Sequence, residues 1–337
     1  MQCVAYGSEY VGVNIHTELQ DGFLRRIEEK GIDTALEWLM PQKDGSELTR
    51  PEPLRLEWSG EIKAPYTLEI WEEGEPSEAL RVTTDDHFFD LTNLKIGQGY
   101  FWRVNGGETC RFETEDNKFR FIDVGGALNV RDLGGINIKQ GLLFRGSEID
   151  KEYVLTEKGR DALCNGLKIR TQVDLRKESE RSEGMSCIGE GVRYKPLPYR
   201  PYLEMFMDEH RRGLCNIMEF FADESNYPIY FHCLGGADRT GMISLIVRAL
   251  MGESDEDIFT DYELTSLSSY AYGHAEGVRA LGFRSRNSDY FREFVERLGT
   301  FGKDTLAQNA EAFVLECGVP PEVVEMIRSI LSRRTVI

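Results

Sequence analysis

Apolar and polar residues alternate in several short stretches between residues 51 and 115. The clearest alternation covers 54–58, 66–70 and 100–104, with shorter β-prone pieces at 80–82, 88–89 and 111–112. Glycine, proline, aspartate and asparagine separate these stretches. A period of two is typical of half-buried strands, and several short strands with turns between them indicate a β-sandwich. The pattern therefore predicts a small all-β domain over residues 51–115.

The first 50 residues follow a different pattern. A short β-prone segment at 10–15 precedes a helical pattern over 19–40, which is broken near Gly31. Neither part carries a recognisable chemical motif. We expect residues 1–50 to form a separate N-terminal segment, a strand followed by a helix.

Beyond residue 116, strand-like and helix-like patterns alternate along the chain. Strands are expected at 142–144, 171–175, 192–194 and 228–231, and helices at 156–167, 203–222 and over much of the chain after 254. This alternation favours an α/β domain, with a mostly parallel central sheet flanked by helices, over residues 116–337. Residues 266–286 are polar and contain glycine, so we expect a lid there.

The charge of the chain limits its partners. The 337 residues carry 58 acidic and 40 basic side chains, a net charge of −18. The first 115 residues hold 23 acidic and 11 basic side chains, so −12 of that charge lies there. Repulsion from phosphate backbones and anionic lipid argues against nucleic acid or a membrane surface as partner of that part.

The seven cysteines are odd in number and show no paired C-x-x-C spacing. We therefore expect neither a disulfide framework nor a zinc site, and no cofactor. No stretch of 18 apolar residues predicts a membrane span. The N-terminus lacks the basic and apolar regions of a signal peptide. A cytoplasmic location is expected, with export through a removed or non-classical signal left open.

The most informative stretch is 228–251. A β-prone apolar run leads into a loop that contains Cys233, Gly235, Gly236 and Arg239, and a long apolar helical pattern follows. A loop between a strand and a helix N-terminus aims backbone N–H groups at an anion. Arginine grips phosphate oxygens through parallel hydrogen bonds, and a thiol at a helix N-terminus ionises readily. The stretch predicts nucleophilic phosphoryl transfer.

The motif His-Cys-x-x-Gly-x-Asp-Arg-Thr-Gly at 232–241 resembles that of the atypical bacterial tyrosine and lipid phosphatases, the group that contains the secreted mycobacterial enzyme. Four further stretches match the landmarks of that group in order, at 129–135, 143–147, 173–176 and 261–265. The resemblance covers residues 116–337. It implies the cysteine-phosphatase fold and hydrolysis of phosphomonoesters without a metal ion.

The resemblance also implies roles for individual residues. Cys233 would be the nucleophile that forms a phosphocysteine intermediate, and Arg239 would clamp the phosphate oxygens. The other residues expected to bind the substrate are His232, Leu234, Gly235, Gly236, Ala237, Thr240, Arg131 and Asp132. Within this set, His232 would hold the loop by hydrogen bonds, and Thr240 would either donate its hydroxyl to the sulfur or cap the helix.

The residues allow two interpretations of Asp238. The family implies that Asp238 protonates the leaving oxygen. A helix N-terminus, however, favours the ionised carboxylate unless a bound phosphate dianion opposes it, and the alternative interpretation is that Asp238 merely caps the helix. Asp132 and Asp174 are interpreted mainly as scaffold carboxylates paired with Arg131 and Arg176, although Asp132 could reach the site.

One position departs from the family pattern. Close relatives often carry lysine where this chain has Ala237, and that lysine adds positive charge for multiply phosphorylated inositol headgroups. Its absence favours protein phosphotyrosine or another small phosphomonoester as substrate, with dual specificity as an extension. The alternatives are a phosphoinositide or inositol phosphate phosphatase and a catalytically weak phosphate-binding adaptor.

The run from 91 to 104, with Trp58 as a core residue and the Tyr-x-Trp-Arg-Val strand, is similar to fibronectin type III modules. Two interpretations of this module stay open. It could dock a protein or a glycan, with Trp71 as an exposed anchor, or it could be a spacer that shields or orients the catalytic domain. Trp58 and Trp102 are expected in the core.

Overall fold

The computed structural model describes residues 2–3, 12–60, 63–182, 184–272 and 282–333. The chain divides into two compact units. Unit 1 comprises Met1–Thr17 and Pro51–Arg120, and unit 2 comprises Glu18–Arg50 and Phe121–Ile337. The stretch 18–50, which the sequence analysis placed in a segment of its own, groups with the C-terminal unit.

Unit 1 contains two sheets. Its strands are β1 (Gln2–Cys3), β2 (Gly12–Val13), β3 (Leu54–Ser59), β4 (Tyr66–Glu72), β5 (Leu80–Thr84), β6 (Phe88–Leu91), β7 (Gly99–Val104) and β8 (Cys110–Thr114). The three-stranded sheet has the order β1-β3-β6 and the five-stranded sheet the order β2-β8-β7-β4-β5. Pairing is antiparallel except between β2 and β8.

The alternating residues of these strands build the core of unit 1. Along β3, buried and exposed residues alternate strictly, as the pattern predicts. Apolar residues from both sheets form one buried cluster, in which Trp102 is fully enclosed and Trp58 is nearly so. The prediction that both tryptophans belong to the core is confirmed. Trp71 is half-buried instead, with its ring stacked on Phe101 at a centroid distance of 5.9 Å.

Cys110 of β8 is disulfide-bonded. The expectation that the chain carries no disulfide is therefore wrong. Paired spacing reveals only cysteines that are close along the chain, whereas a disulfide needs only that the two Cα atoms approach within about 7 Å in the fold. Free thiols are found at Cys164, Cys187, Cys215, Cys233 and Cys317.

Unit 2 is built on a six-stranded sheet. Its strands are β9 (Arg120–Phe121), β10 (Arg131–Asp132), β11 (Leu143–Gly146), β12 (Thr171–Asp174), β13 (Arg193–Pro196) and β14 (Ile229–His232), in the order β13-β12-β14-β11-β10-β9. The strands β13, β12, β14 and β11 are parallel, and β10 runs antiparallel to β11. The prediction of an α/β domain with a mostly parallel sheet is confirmed.

The helices of unit 2 follow the predicted order. They are α1 (Glu18–Lys30), α2 (Ile32–Leu39), α3 (Glu157–Asp161), α4 (Asp208–Phe221), α5 (Asp238–Leu250), α6 (Asp255–Glu263), α7 (Asp289–Gly299), α8 (Leu306–Glu316) and α9 (Pro321–Leu331). The break near Gly31 separates α1 from α2, and Gly31 has a positive φ of 79° that ends a helix easily. The helix predicted over 203–222 is divided into a 3₁₀ turn, Tyr202–Phe206, and α4.

Helix α5 is the centre of unit 2. Every residue from Thr240 to Leu250 is buried, and its apolar side chains belong to the largest core cluster. A helix that is buried on all sides belongs to the interior of its domain. Its N-terminus directly follows the loop after β14, so the packing of α5 fixes where that loop lies.

Part of the expected lid, residues 273–281, lies outside the described residues. Within the described ranges, no helix is long and apolar enough to span a membrane. In the same ranges, no three His, Cys, Asp or Glu side chains gather as they would around a metal ion.

The enclosure of α5 predicts a large difference between two leucines. Leu245 in α5 is 1% exposed and Leu315 in α8 is 37% exposed. We expect Leu245→Ala to lower the free energy of unfolding by about 2–5 kcal/mol, because its neighbours cannot close the cavity. Leu315→Ala, the matched control, should change it by about 0.5 kcal/mol or less. Urea unfolding measures both, and equal losses would contradict the assignment of α5 as the core.

Candidate active site

The loop between β14 and α5 lies where parallel strands of the sheet end. Cys233 is the first residue after β14 and is 3% exposed. Asp238 begins α5, and Arg239 follows it. The carboxyl ends of parallel strands are the usual ligand-binding edge of an α/β sheet. The structure thus brings Cys233, Asp238 and Arg239 together at one such edge.

Three consecutive carbonyl groups of the loop are bonded to the surrounding scaffold. The Leu234 carbonyl accepts from the Glu148 N–H at 2.9 Å. The Gly235 and Gly236 carbonyls each accept from Asn129 Nδ2 at 3.1 Å, and Gly236 also accepts from Arg145 Nη2 at 2.7 Å. In a trans peptide, the C=O and the next N–H point in opposite directions. The N–H groups of Gly235, Gly236 and Ala237 therefore point away from the scaffold, as an anion cradle requires.

His232 extends the same arrangement by one residue. Its Nδ1 lies 3.1 Å from the Cys233 carbonyl, and its Nε2 lies 3.0 Å from Gln172 Nε2. Since the amide nitrogen can only donate, Nε2 accepts and the proton is on Nδ1. Burial lowers the pKa of His232, with Asp174 acting in the opposite direction. The structure places this neutral, fully buried imidazole as a support of the loop, not as a contact of the substrate.

The donors that hold the loop are themselves held by one carboxylate. Asp261 accepts from Arg131 Nε at 2.9 Å and from Arg145 Nη1. Arg131 Nη1 donates to Asn129 Oδ1 at 2.6 Å, which orients the Asn129 amide. Burial would raise the pKa of Asp261, but Arg131, Arg145 and Arg248 hold it well below its usual range. Burial and the charge of Arg131 lower the pKa of Arg145 to about 9.

This placement corrects two predicted substrate contacts. Arg131 and Asp132 are both fully buried, so neither can touch a phosphate bound in the loop. Arg131 acts through Asn129 and Asp261. Asp132 accepts from the Gly134 and Gly141 N–H groups at 2.8 and 2.6 Å and so supports the turn between β10 and β11. A motif match gives the residue type but not the direction of the side chain, which is why the sequence could not exclude a substrate contact.

Arg239 has a carboxylate partner that the sequence did not reveal. Its Nη1 donates to Glu180 at 2.6 Å, and the Arg239 side chain is 16% exposed. Burial lowers the pKa of Arg239, but Cys233 and Glu180 more than offset this, and the net shift is upward. Glu180 belongs to a 3₁₀ turn after β12. It orients the guanidinium beside the thiol.

Thr240 is fully buried, and among the described residues its Oγ1 has no hydrogen-bond partner. A buried hydroxyl without a partner is costly. The proposed donation to the Cys233 sulfur stays a prediction.

One of the comparisons with known proteins identifies a family. A family model described as the tyrosine phosphatase family matches residues 122–331. The chain belongs to the tyrosine phosphatase family. A comparison with curated proteins found no match.

Several solved structures are similar to the chain at low identity. The core catalytic domain of the PP-IP phosphatase SIW14 from S. cerevisiae, in complex with citrate, is 18% identical, with a TM-score of 0.34, covering 53% of this chain and 96% of that one. P. aeruginosa TpbA is 16% identical, with a TM-score of 0.32, covering 56% and 90%. Similarity at this level does not indicate the substrate of this chain.

In this phosphatase, hydrogen-bond donors surround the Asp238 carboxyl group. It accepts from Arg284 Nε at 2.8 Å and Nη2 at 2.9 Å, and from the Tyr202 hydroxyl. Arg284 comes 46 residues later in the chain, within the stretch that the sequence analysis interpreted only as a lid. These contacts fix the orientation of the Asp238 carboxyl group.

An aromatic side chain borders the loop on another side. The Tyr270 ring lies so close to Gly235 that a Cβ there would come within 2.3 Å of it. Burial raises the pKa of Tyr270, and Asp238 and Cys233 add to the shift. Glu47, from the N-terminal stretch, accepts from the Ser269 N–H and the Ser268 hydroxyl at 2.9 Å. The segment carrying Tyr270 is thus fastened by residues that the sequence analysis left without a role.

The cradle predicts a strict requirement for glycine at 236. Gly236 has a φ of +65°, and a Cβ there would lie 2.5 Å from the Gly146 backbone. We expect Gly236→Ala to displace the loop and to abolish binding of inorganic phosphate along with turnover. Gly252→Ala is the matched control, because its φ is +69° but nothing lies within 4 Å. It should cost about 1–2 kcal/mol of stability from backbone strain and keep phosphate affinity. Calorimetric titration measures both, and unchanged affinity in Gly236→Ala would refute the cradle.

The buried network predicts an acid-dependent contribution to stability. Asp261→Asn leaves the arginines without their shared carboxylate and should lower the free energy of unfolding by about 3–5 kcal/mol. Because the folded pKa lies below the unfolded value of about 3.9, the wild type keeps this contribution above that pH and loses it as the pH falls toward the folded value. The variant lacks this dependence. Urea unfolding at several pH values tests it, with Glu256→Gln, at an exposed ion pair, as control.

Proposed function

We propose that this chain is a protein-tyrosine phosphatase that hydrolyses phosphomonoesters through a phosphocysteine intermediate, with dual specificity as an extension. One observation supports this most strongly. The loop carbonyls are bonded to the scaffold, so that consecutive N–H groups and Arg239 surround a site beside the Cys233 thiol. This arrangement suits a phosphate dianion and the charge that develops on its transfer.

The proposed reaction has two steps. The Cys233 thiolate attacks phosphorus, the S–P bond forms, and the bond to the leaving oxygen breaks with the electron pair going to that oxygen. Arg239 and the loop N–H groups stabilise the equatorial oxygens. Water then attacks phosphorus, the P–S bond breaks, and phosphate and the thiolate are released.

The surroundings of the loop favour an aromatic phosphate. The Tyr270 ring against Gly235 offers a flat face beside the loop, and Ala237 adds no charge. The alternative substrates, phosphoinositides and inositol phosphates, would need further cations. Arg239 and Arg284, which lie beside the loop, are each already paired with a carboxylate. An adaptor that only binds phosphate is the less favoured alternative, because it has no use for a thiol in the cradle.

For unit 1 we keep the proposal of a fibronectin type III-like β-sandwich. Two sheets with a shared core support it. The docking of a protein or glycan and the spacer role both stay predictions. Stacked Trp71 and Phe101, with Arg103 near the Trp71 ring, are the aromatic surface that a docking partner would meet.

The cellular location of the protein also stays a prediction. Disulfides persist mainly in oxidising compartments. The disulfide-bonded Cys110 therefore favours an exported protein over the expected cytoplasmic one.

The proposal predicts the behaviour of two cysteine variants. Cys233→Ser should abolish phosphate release from a phosphotyrosine peptide and keep inorganic phosphate binding, because only the nucleophile is lost. Cys164→Ser is the matched control, since Cys164 is a free, half-buried thiol in the turn after α3. It should retain full turnover. Rapid quenching should trap a phosphoenzyme in the wild type that is absent in Cys233→Ser.

Substrate choice is tested in the same assay. Turnover of the phosphotyrosine peptide above that of phosphoinositide vesicles supports the proposal. The reverse preference would replace the substrate but keep the mechanism. Persistent turnover in Cys233→Ser would refute the mechanism itself.

A further inference from the structure

Glu47 joins two parts of the active site that are far apart in the chain. Its Oε1 accepts from the Asn129 N–H at 3.3 Å, and its Oε2 accepts from the N–H and the hydroxyl of Ser269, both at 2.9 Å. Asn129 holds two carbonyls of the phosphate loop through its side-chain amide. One carboxyl group therefore connects the support of the loop with the segment that carries Tyr270.

Lys43 holds the same segment by its backbone. The Lys43 Nζ donates to the Ser266 carbonyl at 2.7 Å and to the Ser268 carbonyl at 2.5 Å, and Lys43 is only 7% exposed. The Ser268 hydroxyl also donates to Glu47 Oε2 at 2.9 Å. Because a hydrogen bond is stronger in the low-dielectric interior than in water, these contacts hold the segment firmly.

The part of the chain that carries Glu47 is held in turn by Gln20 of α1. Gln20 is fully buried, and its Nε2 donates to the Leu48 carbonyl at 2.8 Å and to the Arg50 carbonyl at 2.7 Å. Leu48 directly follows Glu47, so α1 fixes the backbone from which the Glu47 side chain extends. This stretch precedes the residues that match the family, so membership of the family assigns it no role.

The Tyr270 ring is the side chain that these contacts place. A Cβ on Gly235 would come within 2.3 Å of the ring, so the ring lies directly against the phosphate loop. Tyr270 is half-buried, which leaves part of its side chain open to solvent. The loop N–H groups can bind only the phosphate group, whereas an aromatic face can pack against the organic part of a phosphate ester.

We infer that Glu47 and Lys43 are positioning residues that hold Tyr270 at a fixed distance from the phosphate loop, where its ring binds the organic part of the substrate. The inference rests on the proposed function. Tyr270 then determines how tightly a phosphate ester binds, and the stretch 18–50 completes the substrate site. Such a contact is equally strong before and during phosphoryl transfer, so its loss raises KM and leaves kcat nearly unchanged.

The experiment measures kcat and KM for a phosphotyrosine peptide with the full chain. We expect Tyr270→Ala to raise KM about 10-fold, as the loss of a good aromatic contact does. Glu47→Gln should raise KM in the same direction, because the amide nitrogen that replaces one oxygen can donate but not accept. In both variants kcat should stay close to the wild-type value. Glu37→Gln is the matched control, since it makes the same chemical change at an exposed position in α2 and should keep the wild-type KM.

A double variant separates positioning from a general loss of structure. If Glu47 acts through Tyr270, Glu47→Gln should raise KM no further once residue 270 is alanine, because coupled residues are not additive. Affinity for inorganic phosphate, measured by calorimetric titration, should be unchanged in both single variants, since this anion has no organic part. Additive increases in KM, an unchanged KM in Glu47→Gln, or an equal loss of inorganic phosphate affinity would each overturn the inference.

Amide hydrogen exchange provides a second measurement, which needs no turnover. Glu47→Gln and Lys43→Met should each speed exchange in the segment 264–272, while α5 keeps its wild-type protection, because only local contacts are lost. Lys30→Met, at the exposed end of α1, is the matched control for Lys43→Met and should leave the segment unchanged. Wild-type exchange in the segment of Glu47→Gln, or an equal increase in α5, would also overturn the inference.

The two proposals fail differently. If the wild type hydrolyses no phosphate ester, the proposed function fails and the inference falls with it. If the wild type hydrolyses the peptide through Cys233 but KM does not respond to Glu47→Gln, only the inference fails.

Discussion

The orientation of three peptide groups in the loop after β14 is the constraint on which the site depends. Their carbonyls must be held from behind, or their N–H groups would not face an anion. Asn129, Arg145 and the Glu148 N–H do this, and Asp261 holds the arginines in turn. Burying such charges is expensive, and a hydrophobic core of similar volume would often be as stable. The network is better explained by the geometry it imposes on the loop than by the stability it adds.

The two charged residues at the start of α5 are each paired with a side chain of opposite charge. Arg239 is paired with Glu180, and Asp238 with Arg284. The two pairs differ in exposure, since the Arg239 side chain is 16% exposed and that of Arg284 is 9% exposed. Both pairs are shielded from water mainly on the arginine side, which strengthens them relative to surface pairs.

The sequence was sufficient for the parts of the site that are local in the chain. The strand, loop and helix around Cys233 follow from a continuous pattern, and so do the parallel strands beside them. It was insufficient for Glu180, Asn129 and Arg284, which reach the loop only because of the order of strands in the sheet and the path of the chain after α6. For the same reason Arg131 and Asp132 were assigned to the substrate, since a motif does not show which way a side chain points. The disulfide at Cys110 was missed because the spacing of cysteines says nothing about distant pairs.

Contacts between distant parts of the chain also explain the stretch 18–50. This stretch carries no catalytic motif, and from the sequence it was interpreted as part of a separate segment. Lys43 Nζ donates to the Ser266 carbonyl at 2.7 Å and also to the Ser268 carbonyl, and burial lowers its pKa to about 8. Glu47 accepts from Ser268 and Ser269. Ser266 in turn holds the backbone of Arg284, and Tyr270 follows directly after Ser269. The stretch therefore acts on the active site through one short segment, and its contribution is to fix the cation and the aromatic ring that border the loop.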